Sequence, residues 1–184
     1  MCKFLYFAYG SNMLSERLTA RCPSARFICT ADAPEYFLNF SKPSTDGSGK
    51  ATLVKGQLGD KQSGGLYKIE RSELAGLDSA EGNGKGYTRV EDLAVVRSDN
   101  GHKVGVTTYL GDGLNSDLSP YDWYLALVIL GARELRLSDD QIAKFAEVES
   151  LPDNGERKAK NEALRILALH GYSSAEDFWH SYKR

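Results

Sequence analysis

Apolar positions fall in short runs over the first 110 residues and in longer, helix-spaced stretches after them. Phe4, Leu5, Tyr6, Phe7 and Tyr9 place aromatic or branched side chains on both faces of Lys3–Tyr9, the pattern of a buried strand. Gly10-Ser11-Asn12 breaks that strand, and Leu14–Arg21 reads as a short helix closed by Pro23. Strands are expected near Phe27–Thr30 and Tyr36–Phe40, then at Ala51–Leu58 and Gly65–Ile69. Between them Ser41–Gly49 is rich in Ser, Gly and Pro without any period, which reads as a loop. Ser72 is placed to cap a short helix reaching about Ala80, followed by Gly82, Gly84 and Gly86. Tyr87–Arg97 and Val104–Leu110 read as an antiparallel hairpin around Asp99-Asn100-Gly101.

The remainder reads as helical. Ser119-Pro120 is expected to open a long helix, with Ser as N-cap and Pro in the first turn. Its apolar body runs from Trp123 through Leu130. Ser138 and Gln141 have capping-box spacing. Pro152 and Gly155 separate that helix from one ending near His170-Gly171, and a last helix covers Ser174–Tyr182. Strands first and helices after predict an α+β fold, or a closed mixed barrel flanked by helices. At 184 residues the chain is expected to form one domain. A core adequate without disulfides or metals follows from burying roughly 70% of the unfolded surface.

Charge narrows the function classes. Lys plus Arg number 23 and Asp plus Glu 25, a net charge of −2. Without a basic field, a general nucleic-acid binder is not expected. No apolar stretch approaches the roughly 20 residues of a membrane span, and Phe4–Tyr9 is too short for a signal peptide, so a cytoplasmic protein is expected. Cys2, Cys22 and Cys29 are odd in number and suggest reduced thiols rather than a disulfide framework. His102, His170 and His180 have no metal-ligand spacing, so no metal site is expected.

Two short segments carry candidate chemistry. Tyr9-Gly10-Ser11-Asn12 joins a strand to a helix, where backbone N–H groups and the positive helix end can hold a carboxylate. The same tetrapeptide also suits an ordinary turn, with Asn12 or Ser15 as N-cap. It lacks the Lys and glycine spacing of a phosphate-binding loop and the G-x-S-x-G of a nucleophile elbow. Glu81 closes a helix just before glycine-rich chain, facing the negative end of the helix dipole, an arrangement that local stability disfavours and acid–base catalysis can use. A solvent-facing Glu on a frayed helix end fits that position as well. Tyr6, Tyr9, Tyr87, Tyr109 and Tyr121 lie on or beside these elements.

Taken together, the segments resemble the γ-glutamylcyclotransferase family. Phe7-Ala8-Tyr9-Gly10-Ser11-Asn12 resembles its F-A-Y-G-S-N signature. Leu77-Asp78-Ser79-Ala80-Glu81-Gly82 followed by Tyr87 is similar to its L-D-x-x-E-G…Y segment. Ser119-Pro120-Tyr121 is similar to its S-P-x-Y region with one residue fewer, and Cys22-Pro23-Ser24-Ala25 and Gly131-Ala132-Arg133-Glu134 also fit. The resemblance spans roughly Phe4 to Glu149. Lys50 stands where the family pattern has an apolar residue, and residues from about 170 to 184 form a C-terminal extension.

The resemblance implies a small mixed β-barrel flanked by helices, working as a homodimer without metal or organic cofactor. The apolar long helix offers a surface for such a dimer. The implied reaction is intramolecular aminolysis, in which the α-amine of a γ-glutamyl group attacks its own γ-carbonyl. It gives 5-oxoproline and a released amino acid or amine. Glu81 is then the general base, and Gly10-Ser11-Asn12 clamps the glutamyl carboxylate. Backbone N–H groups of Tyr9–Ser11 or a Tyr hydroxyl stabilise the oxyanion, and Tyr6, Tyr109 and Tyr121 wall the glutamyl group. A γ-glutamylamine or another γ-glutamyl conjugate is the alternative substrate. A non-catalytic binder of γ-glutamyl ligands is the alternative function.

Overall fold

A computed structural model describes residues 2–182. Met1, Lys183 and Arg184, which the single-domain and extension expectations include, lie outside the described residues. Strands β1 (Lys3–Ala8), β2 (Arg26–Pro34), β5 (Lys61–Glu70), β6 (Tyr87–Arg97) and β7 (Lys103–Gly111) close into a barrel in the order β1-β5-β2-β6-β7. Antiparallel pairs make up the barrel except where β1 meets β7 in parallel, at Tyr6 and Thr107. Strands β3 (Tyr36–Pro43) and β4 (Gly49–Lys55) form a separate two-stranded sheet. This mixed α+β barrel agrees with the expected class.

Several strands outrun their predicted limits. Strand β2 continues to Pro34 because Cys29, Ala31 and Ala33 alternate into the interior. Small side chains suit a narrow five-stranded barrel, and their weak strand propensity hid the continuation. The expected Ser41–Gly49 loop shrinks to Ser44–Ser48, since β3 runs through Ser41 to Pro43, and Lys42 and Pro43 pair with Lys50 and Gly49 of β4. Strand β4 ends at Lys55, short of Leu58.

Six α-helices surround the sheets: α1 (Ser15–Arg21), α2 (Leu74–Glu81), α3 (Asp122–Glu134), α4 (Asp139–Ala146), α5 (Lys158–Leu169) and α6 (Ala175–Tyr182). Ser72 caps nothing; it sits in a short 3₁₀ turn, Arg71–Glu73, that leads into α2. Ser119 is not the N-cap of α3 either. That position is Tyr121, and the Ser119 carbonyl accepts from the Gly49 N–H. Ser138 does cap α4 through the Gln141 N–H. The Gln141 side chain does not close the capping box but bonds the Ser63 backbone on β5.

Helix α3 is apolar all round and lies in the core, with every residue from Trp123 to Ala132 buried. Its apolar surface is therefore used within the chain, which corrects the expectation that it contributes to a dimer. Gly131 lets α3 approach the turn after β1, for a Cβ there would stand 2.7 Å from Met13 Cβ and 2.9 Å from Leu14 N. Helix α6 joins the same core. Phe178 is fully buried, with its ring edge-on to Tyr172 at 5.1 Å and to Trp179 at 5.2 Å.

Candidate active site

The turn after β1 is a single 3₁₀ turn, Ser11–Met13, held by the Met13 N–H to the Gly10 carbonyl. Neither Asn12 nor Ser15 caps α1, whose N-terminal boundary residue is Leu14. Asn12 and Ser11 are buried and turn inward. Asn12 Nδ2 donates to Tyr6 Oη at 2.9 Å and to Glu81 Oε1 at 2.6 Å. Its Oδ1 accepts from Arg21 at 2.8 Å. Ser11 Oγ accepts from Arg17 Nε at 3.1 Å, and Arg17 is paired with Glu162 at 3.0 Å. Burial, and then the nearby Arg21, lower the pKa of the Arg17 guanidinium.

Glu81 reaches the turn as the last residue of α2. Gly82 ends the helix in the left-handed conformation, φ +69°, and its N–H turns back to Ser79. The chain thereby leaves α2 abruptly and presents the carboxylate to Asn12. Arg21, at the end of α1, donates to the same oxygen, Oε1, at 2.5 Å. Both side chains of this pair are mostly buried, so solvent screens them far less than a surface pair.

Tyr6, Tyr9, Gly10, Ser11, Asn12, Glu81 and Tyr109, all expected at the site, line one cleft. Ala51, Tyr87 and Tyr124 complete its walls. Gly10 matters for its space, since a Cβ there would stand 3.1 Å from Ala51 Cβ and 3.7 Å from Tyr124 Oη. Burial raises the pKa values of Tyr6, Tyr9, Tyr87, Tyr109 and Tyr124, so the phenols stay neutral and keep their protons. Three of those protons are engaged. Tyr9 donates to the Tyr109 carbonyl, Tyr87 to the Ala51 carbonyl at 2.7 Å, and Tyr109 to Asp78 at 2.8 Å. Asp78 is in turn fixed by Arg89 at 2.5 Å. Tyr6 and Tyr124 accept, from Asn12 and from the Ala51 N–H, and so keep a hydroxyl proton to offer.

Tyr121 does not join the cleft, contrary to expectation. Its ring stacks on Trp123 at 6.1 Å and its hydroxyl donates to the Asp46 carbonyl at 3.0 Å. The helix begins one residue later, so Tyr124, one turn further in, takes the inner position. Tyr124 was hidden in an apolar run that reads as core. Arg17 and Arg21 carried no local signal beyond the ordinary basic face of a short helix. Away from the cleft, Glu16, Glu134 and His170 each place a possible ligand atom within 4.8 Å of the others, a grouping that linear spacing did not reveal. Among the described residues no helix is long and apolar enough to cross a membrane.

The AIG2-like family matches residues 63–145. The human γ-glutamylcyclotransferase is 33% identical over 168 residues, covering 89% of this chain and 87% of that protein. The mouse γ-glutamylcyclotransferase is 31% identical over the same shares. A solved γ-glutamyl cyclotransferase structure superposes with a TM-score of 0.82 at 30% identity, covering 91% of this chain and 99% of that one. A relative this similar over nearly the whole chain, together with a shared barrel, shows that this protein is an enzyme belonging to the γ-glutamylcyclotransferase family.

Proposed function

We propose that the chain converts γ-glutamyl-amino acids into 5-oxoproline and a free amino acid, with Glu81 as the general base. The observation that carries this reading is the Glu81 carboxylate, held by Asn12 at 2.6 Å inside a cleft walled by neutral tyrosines. The nucleophile is the substrate's own α-amine, so no Ser or Cys nucleophile is needed. The amine nitrogen bonds to the γ-carbonyl carbon and loses a proton to Glu81. The tetrahedral intermediate then expels the amide nitrogen, which takes that proton as its C–N bond breaks. Folding the glutamyl chain into ring-closing geometry supplies much of the rate enhancement.

The 3₁₀ turn at Gly10-Ser11-Asn12 receives the glutamyl α-carboxylate, with the Arg17 charge behind Ser11 adding to its attraction. Tyr6 and Tyr124, whose hydroxyl protons are not donated among the described residues, are the side-chain candidates to stabilise the developing oxyanion. One domain, a cytoplasmic setting for the three free thiols and a homodimer complete the reading. The dimer has to use a surface other than α3, and sedimentation of the purified protein tests it.

The experiment is incubation with γ-glutamyl-alanine and assay of 5-oxoproline, wild type against Glu81→Gln. The variant is expected to lose about two to four orders of magnitude in kcat with little change in KM. Equal turnover by both proteins removes Glu81 from catalysis. Binding without product from either protein supports a ligand-binding role instead.

A further inference from the structure

The β3–β4 sheet sets two ammonium groups over the tyrosines of the cleft. Lys42 on β3 is paired in register with Lys50 on β4. Lys42 Nζ stands 4.7 Å from the ring centre of Tyr87, and Lys50 Nζ stands 4.7 Å from that of Tyr124. Both tyrosines line the cleft, and they grip the same residue, Ala51, through its carbonyl and its N–H.

The two lysines differ in their partners. Lys50 is compensated by Asp46 at 2.9 Å and Ser48 Oγ at 2.7 Å. Lys42 is only 9% exposed, and among the described residues its ammonium has neither a hydrogen bond nor an ion pair. Two glycines make room for it. A Cβ at Gly111 would lie 2.6 Å from Lys42 Cγ, and one at Gly86 would lie 3.1 Å from Nζ. Burial lowers the pKa of the ammonium, and Asp46, Asp112 and Glu81 only partly counter it. The tyrosine face offers a cation–π contact, which is weaker than a full counter-charge. An ammonium that lies over a cleft tyrosine and has no counter-charge among the described residues can take an anion from outside the chain.

The function proposed above supplies that anion. A γ-glutamyl-amino acid carries two carboxylates, and the glutamyl one is assigned to the turn at Gly10-Ser11-Asn12. We propose that Lys42 binds the other, the carboxylate of the amino acid that is released, and thereby selects γ-glutamyl-amino acids over γ-glutamylamines. This inference rests on the cyclotransferase reading and specifies its substrate class.

The test compares γ-glutamyl-alanine with γ-glutamyl-alaninamide, identical but for the carboxylate charge, in wild type, Lys42→Met and Lys42→Arg. Wild type is expected to favour the acid by about tenfold or more in kcat/KM, the size of one charged hydrogen bond. Lys42→Met is expected to abolish most of that preference through a raised KM for the acid, and Lys42→Arg to retain part of it. Methionine keeps the apolar stem over Gly111, and thermal unfolding verifies the fold. If the Met variant does not fold, the ratio is read in Lys42→Gln. A preference unchanged by loss of the charge, or a wild type that cyclises both substrates equally well, overturns the assignment of Lys42 alone. A wild type that cyclises neither substrate overturns the cyclotransferase reading itself, and the Lys42 assignment falls with it.

Discussion

Arg21 and Glu81, 60 residues apart in sequence, share one short ion pair of 2.5 Å on the carboxylate oxygen that also accepts from Asn12. Two donors on one oxygen fix the direction of the carboxyl group and leave Oε2 without a partner among the described residues. That free oxygen is the one able to meet a substrate ammonium.

On the mechanism proposed above, with Glu81 as the base, Arg21 is a positioning residue. Arg21→Met is expected to lower kcat about ten- to a hundredfold with a smaller change in KM, because the base loses its aim while the turn survives. Arg21→Lys, which keeps the charge, should recover part of the loss. A kcat unchanged in Arg21→Met removes this role.

Asp46 gives a pH-dependent element of stability. Burial alone would raise its pKa, but the Ser48 hydroxyl and N–H together with Lys50 outweigh that and bring it down to about 2. A folded-state pKa below the unfolded one stabilises the fold above the unfolded value, and the contribution disappears as pH falls through about 2. Asp46→Asn should thus lose on the order of 2 kcal/mol at pH 6. The gap to wild type should close as pH drops from about 4 to 2, read by urea unfolding across that range.

The thiols should separate by reactivity. Cys2 is exposed, while Cys22 and Cys29 are buried. Burial, followed by Glu73, pushes the Cys22 thiol up to about 11, and burial likewise raises that of Cys29. A chromogenic disulfide reagent at pH 8 should react promptly with one thiol in the folded protein and with all three in denaturant. Prompt reaction of all three in the native state would contradict the packing of the barrel.

Phe178 tests whether the C-terminal segment belongs to the same folding unit. Its ring is fully buried against Tyr172, Trp179 and Tyr182. Phe178→Ala should cost about 3–5 kcal/mol in global unfolding, with a single transition. A loss well under that, or a separate early transition, would mark α6 as a dispensable appendage.

Legibility followed the range of the interactions. Strand β1, the β6–β7 hairpin and the helix ending at Glu81 announce themselves through periods and turns that span ten residues or fewer, and the sequence reading found them. Tyr121 falls outside the cleft while Tyr124, about one helical turn on, lines it, and the start of α3 is held by the Asp122 N–H on the Leu151 carbonyl, a contact 29 residues away that no local pattern reveals. Ala31 and Ala33 look like poor strand formers until a narrow barrel gives small side chains a place. Arg21 and Lys42 carry no pattern at all. Each is defined only by what the folded chain sets opposite it, a carboxylate in one case and an aromatic face in the other.

The parallel contact between β1 and β7 has a consequence for how the protein comes into being. Phe7 receives the Thr108 hydroxyl and Tyr9 bonds to the Tyr109 carbonyl, links that span about 100 residues of chain. Loops of that length close late and slow the search for the native state. On the ribosome, a nascent chain that has emerged only as far as β6 already carries the signature turn and Glu81, yet Tyr109 is still to come and the ring is open. The tyrosine-walled cleft is therefore a late product of folding, and a chain interrupted before β7 possesses both of its most recognisable sequence segments without possessing the cleft.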